Sequence, residues 1–443
     1  MEPALRMERD PTTPGLAPEI APAGRHAAIG FILMTLLLDI LGIGLIIPVL
    51  PDLVELLAGG DDSLTSLWYG GLITAYALMQ FLFAPPIGAL SDRYGRRPVL
   101  LVSIAVLGLD FLLTAMAPNL WWLLGARILS GMTAANITAA NAYIADISDD
   151  TTRVRNFGLA GAMFGLGFVL GPVLGGIAGL YSPRLPFLLA AGLSAINFLY
   201  GWLVLPESLP VEKRHWPSLV SLLPGKALQV LQGDRVIFGL SIAFFCTSFA
   251  EMTLRSTWIL FTKENFHWNT IQNGIALSFV GVMTALVQAT LLRPVSSRIG
   301  ERATLIAGLV ISIGAYLCYA FATEGWMMYA IIAFGAFGGM AGPAAQSIVA
   351  KRVDAGEQGR VQGALASISS LTAIIAPPIA TGAFWLFTTS GLAPHFPGVS
   401  FLIAAIMVIA ATVIATGATR VIARASPQGG KSVAWASPLE DLD

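Results

Sequence analysis

Twelve long apolar stretches, almost free of charge, succeed one another along most of this chain, and that pattern constrains its fold more than any other feature. They fall at 28–50, 66–90, 98–117, 119–145, 156–180, 185–205, 236–261, 270–292, 303–323, 325–350, 361–387 and 397–419. Each approaches or exceeds the roughly 20 residues that an α-helix needs to cross a bilayer. Within lipid every backbone polar group must be satisfied internally, so such stretches fold as helices. With 56% hydrophobic and 12% charged residues and a mean hydropathy of +0.74, a water-soluble globule is excluded. The expected fold class is an all-α membrane protein of twelve transmembrane helices in two pseudo-symmetric six-helix bundles. A net charge of −1 offers no basic field for nucleic acid.

The polar stretches divide the chain. Residues 1–24 carry five prolines and scattered charge, and read as a disordered tail, with no cleaved signal. Residues 25–205 form the first six-helix unit, 206–235 a proline-rich cytoplasmic linker, 236–420 the second unit and 421–443 a C-terminal tail. The units are related: Arg93-Tyr94-Gly95-Arg96-Arg97 is echoed by Arg298-Ile299-Gly300-Glu301-Arg302 in the corresponding loop, which points to a duplicated unit. Short cytoplasmic loops retain Lys and Arg. Placing both termini inside gathers nearly all basic loop residues on the cytoplasmic side and leaves Arg184 and Lys263 outside, with Asp52, Glu55, Asp61 and Asp62 in the first outer loop. Cys246 and Cys318 lie in apolar segments and read as inert packing residues.

Charges inside the stretches are expensive to bury and therefore mark function. Asp39 stands alone in a segment otherwise uncharged from Ala27 to Pro51. Asp110 and Arg127 are equally far from the Pro118-Asn119 turn, each about 13 Å along its helix at 1.5 Å per residue, so they should meet at one depth. A static salt bridge is as good a reading of Asp110 as a functional one. Tyr76, Gln80, Asn136 and Asn141 could add neutral hydrogen bonds in a cavity or simply join helices. Glu251 and Arg255, at i and i+4 on one face, form either an ion pair or a relocated coupling site. Because Arg255 falls near the outer end of its predicted span and can snorkel, the ion pair is favoured.

Three motifs point to a family. Gly88-Ala-Leu-Ser-Asp92-Arg93-Tyr-Gly95-Arg96-Arg97-Pro98 is a tight turn between the second and third spans. Its glycines permit close approach, and Asp92 is placed to accept from a neighbouring helix N-terminus while the arginines pair with acids, a latch that can make and break. The turn resembles the signature loop of the major facilitator superfamily. In the fifth span, Gly167-Phe-Val-Leu-Gly171-Pro172-Val-Leu-Gly175-Gly176, preceded by Gly161 and Gly165, makes a smooth packing face and resembles the motif of that superfamily's antiporters. Leu38-Asp39-Ile-Leu-Gly42-Ile-Gly44-Leu-Ile-Ile-Pro48, Ala75-Tyr76-Ala-Leu-Met-Gln80 and Gly125-Ala-Arg127-Ile-Leu-Ser130-Gly131 are similar to segments of the tetracycline efflux proteins.

The resemblance covers all but the tails and is denser in the first half. It implies a proton-driven exporter of a drug–Mg²⁺ complex in a bacterial inner membrane, with no permanently bound cofactor. Asp39, Asp110 and Arg127 would be needed for transport and Gln288 would belong to the same set. In two places the chain departs from the family: Thr284 stands where a histidine is expected and Ser312 where an acid is expected. The coupling expected of Asp39 is that it binds substrate, or its cation, when ionised and takes a proton from outside as drug leaves. Low dielectric favours its neutral form and makes protonation sensitive to which side is open. Export of another drug or metabolite, or proton-coupled uptake, shares this architecture. An enzyme would need a nucleophile–base pair or metal cluster, and three of the four histidines, His26, His215 and His395, lie outside the spans, with His267 at an outer edge.

Overall fold

The computed structural model describes residues 22–133, 136–148, 152–209, 214, 234–352 and 358–425, and within them finds helices and no strand. The first half comprises α1 (Pro22–Ile46), α2 (Leu50–Leu57), α3 (Asp62–Tyr94), α4 (Arg96–Ala115), α5 (Leu120–Thr133), α6 (Asn136–Ile147), α7 (Arg153–Gly179) and α8 (Leu185–Val204). The second comprises α9 (Arg235–Phe266), α10 (Thr270–Thr290), α11 (Leu292–Ile299), α12 (Glu301–Ala320), α13 (Gly325–Ala336), α14 (Ala341–Ala350), α15 (Gln358–Thr388) and α16 (Val399–Ala425), with a 3₁₀ turn, Phe337–Met340, joining α13 to α14. Among the described residues, eleven helical stretches are long and apolar enough to span a membrane. The segment expected as the fourth span is represented by α5 and α6, on either side of residues 134–135, which are outside the described residues.

Local chemistry sets the helix ends. Asp61 accepts from the Leu64 amide at 3.0 Å to open α3, Asp234 accepts from the Val236 amide at 2.6 Å to open α9, and Asn269 with Gln272 forms a reciprocal capping box on α10. His267 closes α9 in the left-handed conformation, φ +53°. Gly95 and Gly300 each end one helix and begin the next at φ +104° and +81°, a region that only glycine occupies without strain. The two related turns of the sequence are thus the same turn in space.

Each half is built from its own helices: α1 lies on α7 and α8, α3 on α5 and α4 on α8, while α9 lies on α16 and α15 and α12 on α16. The halves meet along α7 against α10 and α3 against α15. At the end carrying Asp52, Glu55 and Asp61, the acidic end, one apolar cluster runs through both halves, from Leu45, Val49 and Leu53 to Trp258, Phe261 and Phe401. At the opposite, basic end the cores are separate, one around Phe31, Leu100 and Tyr143 and the other around Val236, Leu305 and Val361. The described polar links between the halves follow the same division. Lys263 bonds Asp52 at 3.0 Å and also Glu55, Thr270 donates to Asp52 at 2.6 Å, and Ser278 donates to the Val169 carbonyl at mid-depth. Among the described residues the two halves are joined at the acidic end and keep separate cores at the basic end.

Several predicted boundaries move. α1 already begins at Pro22 and α16 continues to Ala425, each inside a stretch read as tail, α3 extends four residues beyond both expected ends, and α9 continues to Phe266, five residues past its expected end. Cys318 is exposed, whereas Cys246 is buried as expected. Apart from residues 22–24, the N-terminal tail lies outside the described residues, as do most of the linker and 426–443.

Candidate functional site

Gly131 lets α5 approach α3 closely, since any side chain there would meet the Tyr76 carbonyl. That approach brings Arg127 and Ser130 of α5 beside Tyr76 and Gln80 of α3, and Asp39 of α1 completes the ring around a cavity of about 280 Å³. Most of its other walls are apolar, including Ile43, Ile47, Leu72, Leu107 and Phe111 from the first half and Met252 and Leu277 from the second. A largely apolar cavity with a few converging polar groups suits an amphipathic ligand. Asp39 is 4% exposed and Arg127 7%, so both charges are withdrawn from bulk solvent.

Asp110 lies behind Arg127, fully buried. Arg127 Nη2 donates to Asp110 Oδ2 at 2.8 Å and to Thr114 Oγ1 at 3.0 Å, which fixes the guanidinium against α4 while the residue still lines the cavity. The pair meets at one depth, as the spacing required. Of the other predicted members, Gln288 is not at this site. It lines a separate space at the basic end with Arg293, Glu301 and Lys351, because it lies eleven residues along α10 from the cavity-lining Leu277, about 16 Å at helical rise. Asn141 is exposed, and the side chain of Asn136 lies outside the described residues.

The seventh span is corrected more substantially. The longer α9 puts Arg255 about 16 Å from the helix end, too deep to be an outer-end residue. Its guanidinium donates to Glu251 on the same face and lines the central cavity, so it has no need to snorkel. Met252 and Ser256 of the same helix also line this cavity. Spacing alone did not single them out, because their side chains carry no charge.

At the basic end the signature turn is a charged cluster. Arg96 pairs with Asp92 at 2.6 Å and with Asp146 at 3.1 Å, Arg97 donates to the Trp202 carbonyl at 2.7 Å, and Arg93 stacks on Tyr94, 4.7 Å from its centroid. The helix N-terminus here is capped by Glu207, which accepts from the Arg96 amide at 2.8 Å. Asp92 does not fill that role, because it is drawn to Arg96 one turn away. Gly88 has nothing beside it within 4 Å among the described residues, where close approach was expected.

The glycines of α7 divide between two neighbours. A side chain at Gly171 would come 2.7 Å from Gly44 of α1, and one at Gly176 2.9 Å from Ile271 of α10. Gly167 and Gly175 also face α1, and the Pro172 carbonyl lies against Gly274 of α10. Gly161 and Gly165, nearer the basic end, have nothing within 4 Å among the described residues.

The sequence profile of the Major Facilitator Superfamily matches residues 32–377 and 240–440. The chain belongs to the Major Facilitator Superfamily. Among curated members of that superfamily, the class C tetracycline resistance protein of Escherichia coli is 41% identical over 353 residues, spanning 80% of this chain and 88% of its own. The class G protein of Vibrio anguillarum is 38% identical over 342 residues, 77% of this chain and 86% of its own. Among solved structures, a bacterial homologue of the human lysosomal transporter Spinster superposes with a TM-score of 0.73 at 16% identity, over 91% of this chain and 98% of that one, which shows the shared fold of this superfamily. The transporter is an integral membrane protein.

Proposed function

We propose that this transporter exports a tetracycline-like amphipathic drug in exchange for protons, by alternating exposure of its central cavity. The observation that carries the reading is the convergence of Asp39, Tyr76, Gln80 and Arg127 on one buried, mostly apolar cavity, in a chain 41% identical to a tetracycline resistance protein. Asp39 is the exchangeable carboxylate. Ionised, it holds the drug or its bound cation; protonated from outside, it lets go. Arg127, locked by Asp110 and Thr114, stays charged through the cycle and orients the substrate. A magnesium ion carried with the drug is part of the substrate and takes its ligands chiefly from it.

The basic end is cytoplasmic in this reading, with both termini inside a bacterial inner membrane, and the parted basic end makes the described state inward-facing. Residues 25–205 and 236–420 are the two bodies that rock, joined by 206–235. The cluster of Asp92, Arg93, Arg96 and Arg97 gates the cytoplasmic side.

The test is tetracycline-induced proton release from everted vesicles under a pH gradient, with wild type compared with Asp39→Asn. Release by wild type alone supports drug–proton antiport through Asp39. Silence from folded wild type removes tetracycline as substrate, and the same assay then screens other amphipathic drugs and metabolites, in both directions of transport.

A further inference from the structure

A second cavity, of about 210 Å³, adjoins the first and is walled almost entirely by the second half. Phe168, Arg255 and Leu277 line both, so the two are neighbouring compartments with Arg255 on their shared wall. Glu251 lines the second compartment, together with Thr284 and Ser312. Those are the positions where the family resemblance led to a histidine and an acid, and the carboxylate that faces this space comes from α9 instead.

The two arginines of the cavity system are held in different ways. Arg127 is buried and bonded to two neighbours on another helix. Arg255 is 58% exposed, and the hydrogen bond described for it goes to Glu251, itself 57% exposed, one turn back on the same helix. The face of α9 that packs is a different one: Thr253 and Thr257 are buried. An ion pair this exposed contributes little to folding, whereas a guanidinium is well suited to a planar anionic group. Trp258, on the wall of the second compartment, adds an independent sign. Its indole N–H is buried and has no acceptor among the described residues, although such groups are normally satisfied.

We propose that Arg255 is the substrate's anion-accepting contact on the second half, and that Glu251 is a positioning residue which holds the guanidinium at rest and gives it up to an acidic oxygen of the drug. The ligand class is an organic anion, here the ionised carbonyl–enol system of a tetracycline, with the Trp258 N–H as a further donor. The inference rests on the drug-export reading and assigns the end of the molecule that faces the second half. Glu251 and the anion compete for one cation, so removing the two residues has opposite effects.

The experiment is equilibrium dialysis of tetracycline, and of a derivative methylated at its acidic enol oxygen, against purified wild type, Arg255→Gln, Arg255→Lys and Glu251→Gln, with thermal midpoints measured alongside. Arg255→Gln is expected to weaken tetracycline binding about tenfold or more and to bind the methylated derivative as wild type does. Arg255→Lys should be intermediate, and Glu251→Gln should equal or exceed wild type. Equal tetracycline binding by wild type and a folded Arg255→Gln overturns the inference and leaves the export reading standing. Parallel losses of binding and midpoint in Glu251→Gln and Arg255→Gln also overturn it, in favour of a structural ion pair. Failure of folded wild type to bind tetracycline overturns the export reading and this inference with it.

Discussion

At the residue scale, the Asp110–Arg127 pair shows how a structural and a functional role coincide. Both groups are buried, and removing one partner strands the other charge, a loss of about 3–5 kcal/mol in typical cases. Arg127→Leu is therefore expected to lower the yield and thermal midpoint of purified protein sharply. The charge-neutral double variant Asp110→Asn with Arg127→Gln should regain much of that midpoint, yet still fail in drug-driven proton release. Full transport by the double variant would reduce the pair to scaffolding. The spacing of the two residues from a short turn was enough to predict their meeting. It could not predict that Gln288 would stand away from them, because Gln288 lies on a helix of the other half and its own spacing does not say which helices pack around the cavity.

At the scale of elements, α7 serves two neighbours, and the spacing of its glycines had suggested only a smooth face. Gly175 lies against the Leu45 carbonyl, so Gly175→Ala forces α1 and α7 apart and should cost about 1–3 kcal/mol by overpacking, seen as a lower thermal midpoint. Gly165→Leu meets nothing within 4 Å of its Cβ in the described state and should leave the midpoint near wild type. If the closed basic end brings α10 against this face during transport, the same variant should slow drug flux. A variant normal in both measurements would mean that this part of α7 stays clear of α10 throughout the cycle. The short helices α2 and α11 were missed in the sequence, since eight residues are too few for periodicity to stand out from the flanking spans.

At the scale of the whole molecule, the state is set by which end is latched. Lys263 joins α9 to Asp52 and Glu55 across the acidic end. These are partly exposed pairs, worth roughly 0.2–1 kcal/mol each, and about 1.4 kcal/mol is a tenfold change in population. Lys263→Met should therefore shift the equilibrium toward the state open at the acidic end by about twofold to thirtyfold. Spin-label distances between Gly59→Cys and Glu324→Cys, with Cys246 and Cys318 replaced, would read this as a larger long-distance fraction. An unchanged distribution would assign the latch to the shared apolar cluster alone.

By itself the sequence determined the class of fold, the position of nearly every span, the duplicated turn and the charges worth watching. Those signals are local: length and apolarity are enough to specify a membrane helix, and a buried charge stands out against them. Only the tertiary structure decided that Arg255 faces the cavities rather than the outer surface, that Glu207 caps the helix in place of Asp92, that Gln288 belongs elsewhere, and that the halves close at the acidic end. Each of these depends on what another helix, distant in sequence, places opposite a given side chain, and helical spacing fixes a residue's own face and depth but not its partner.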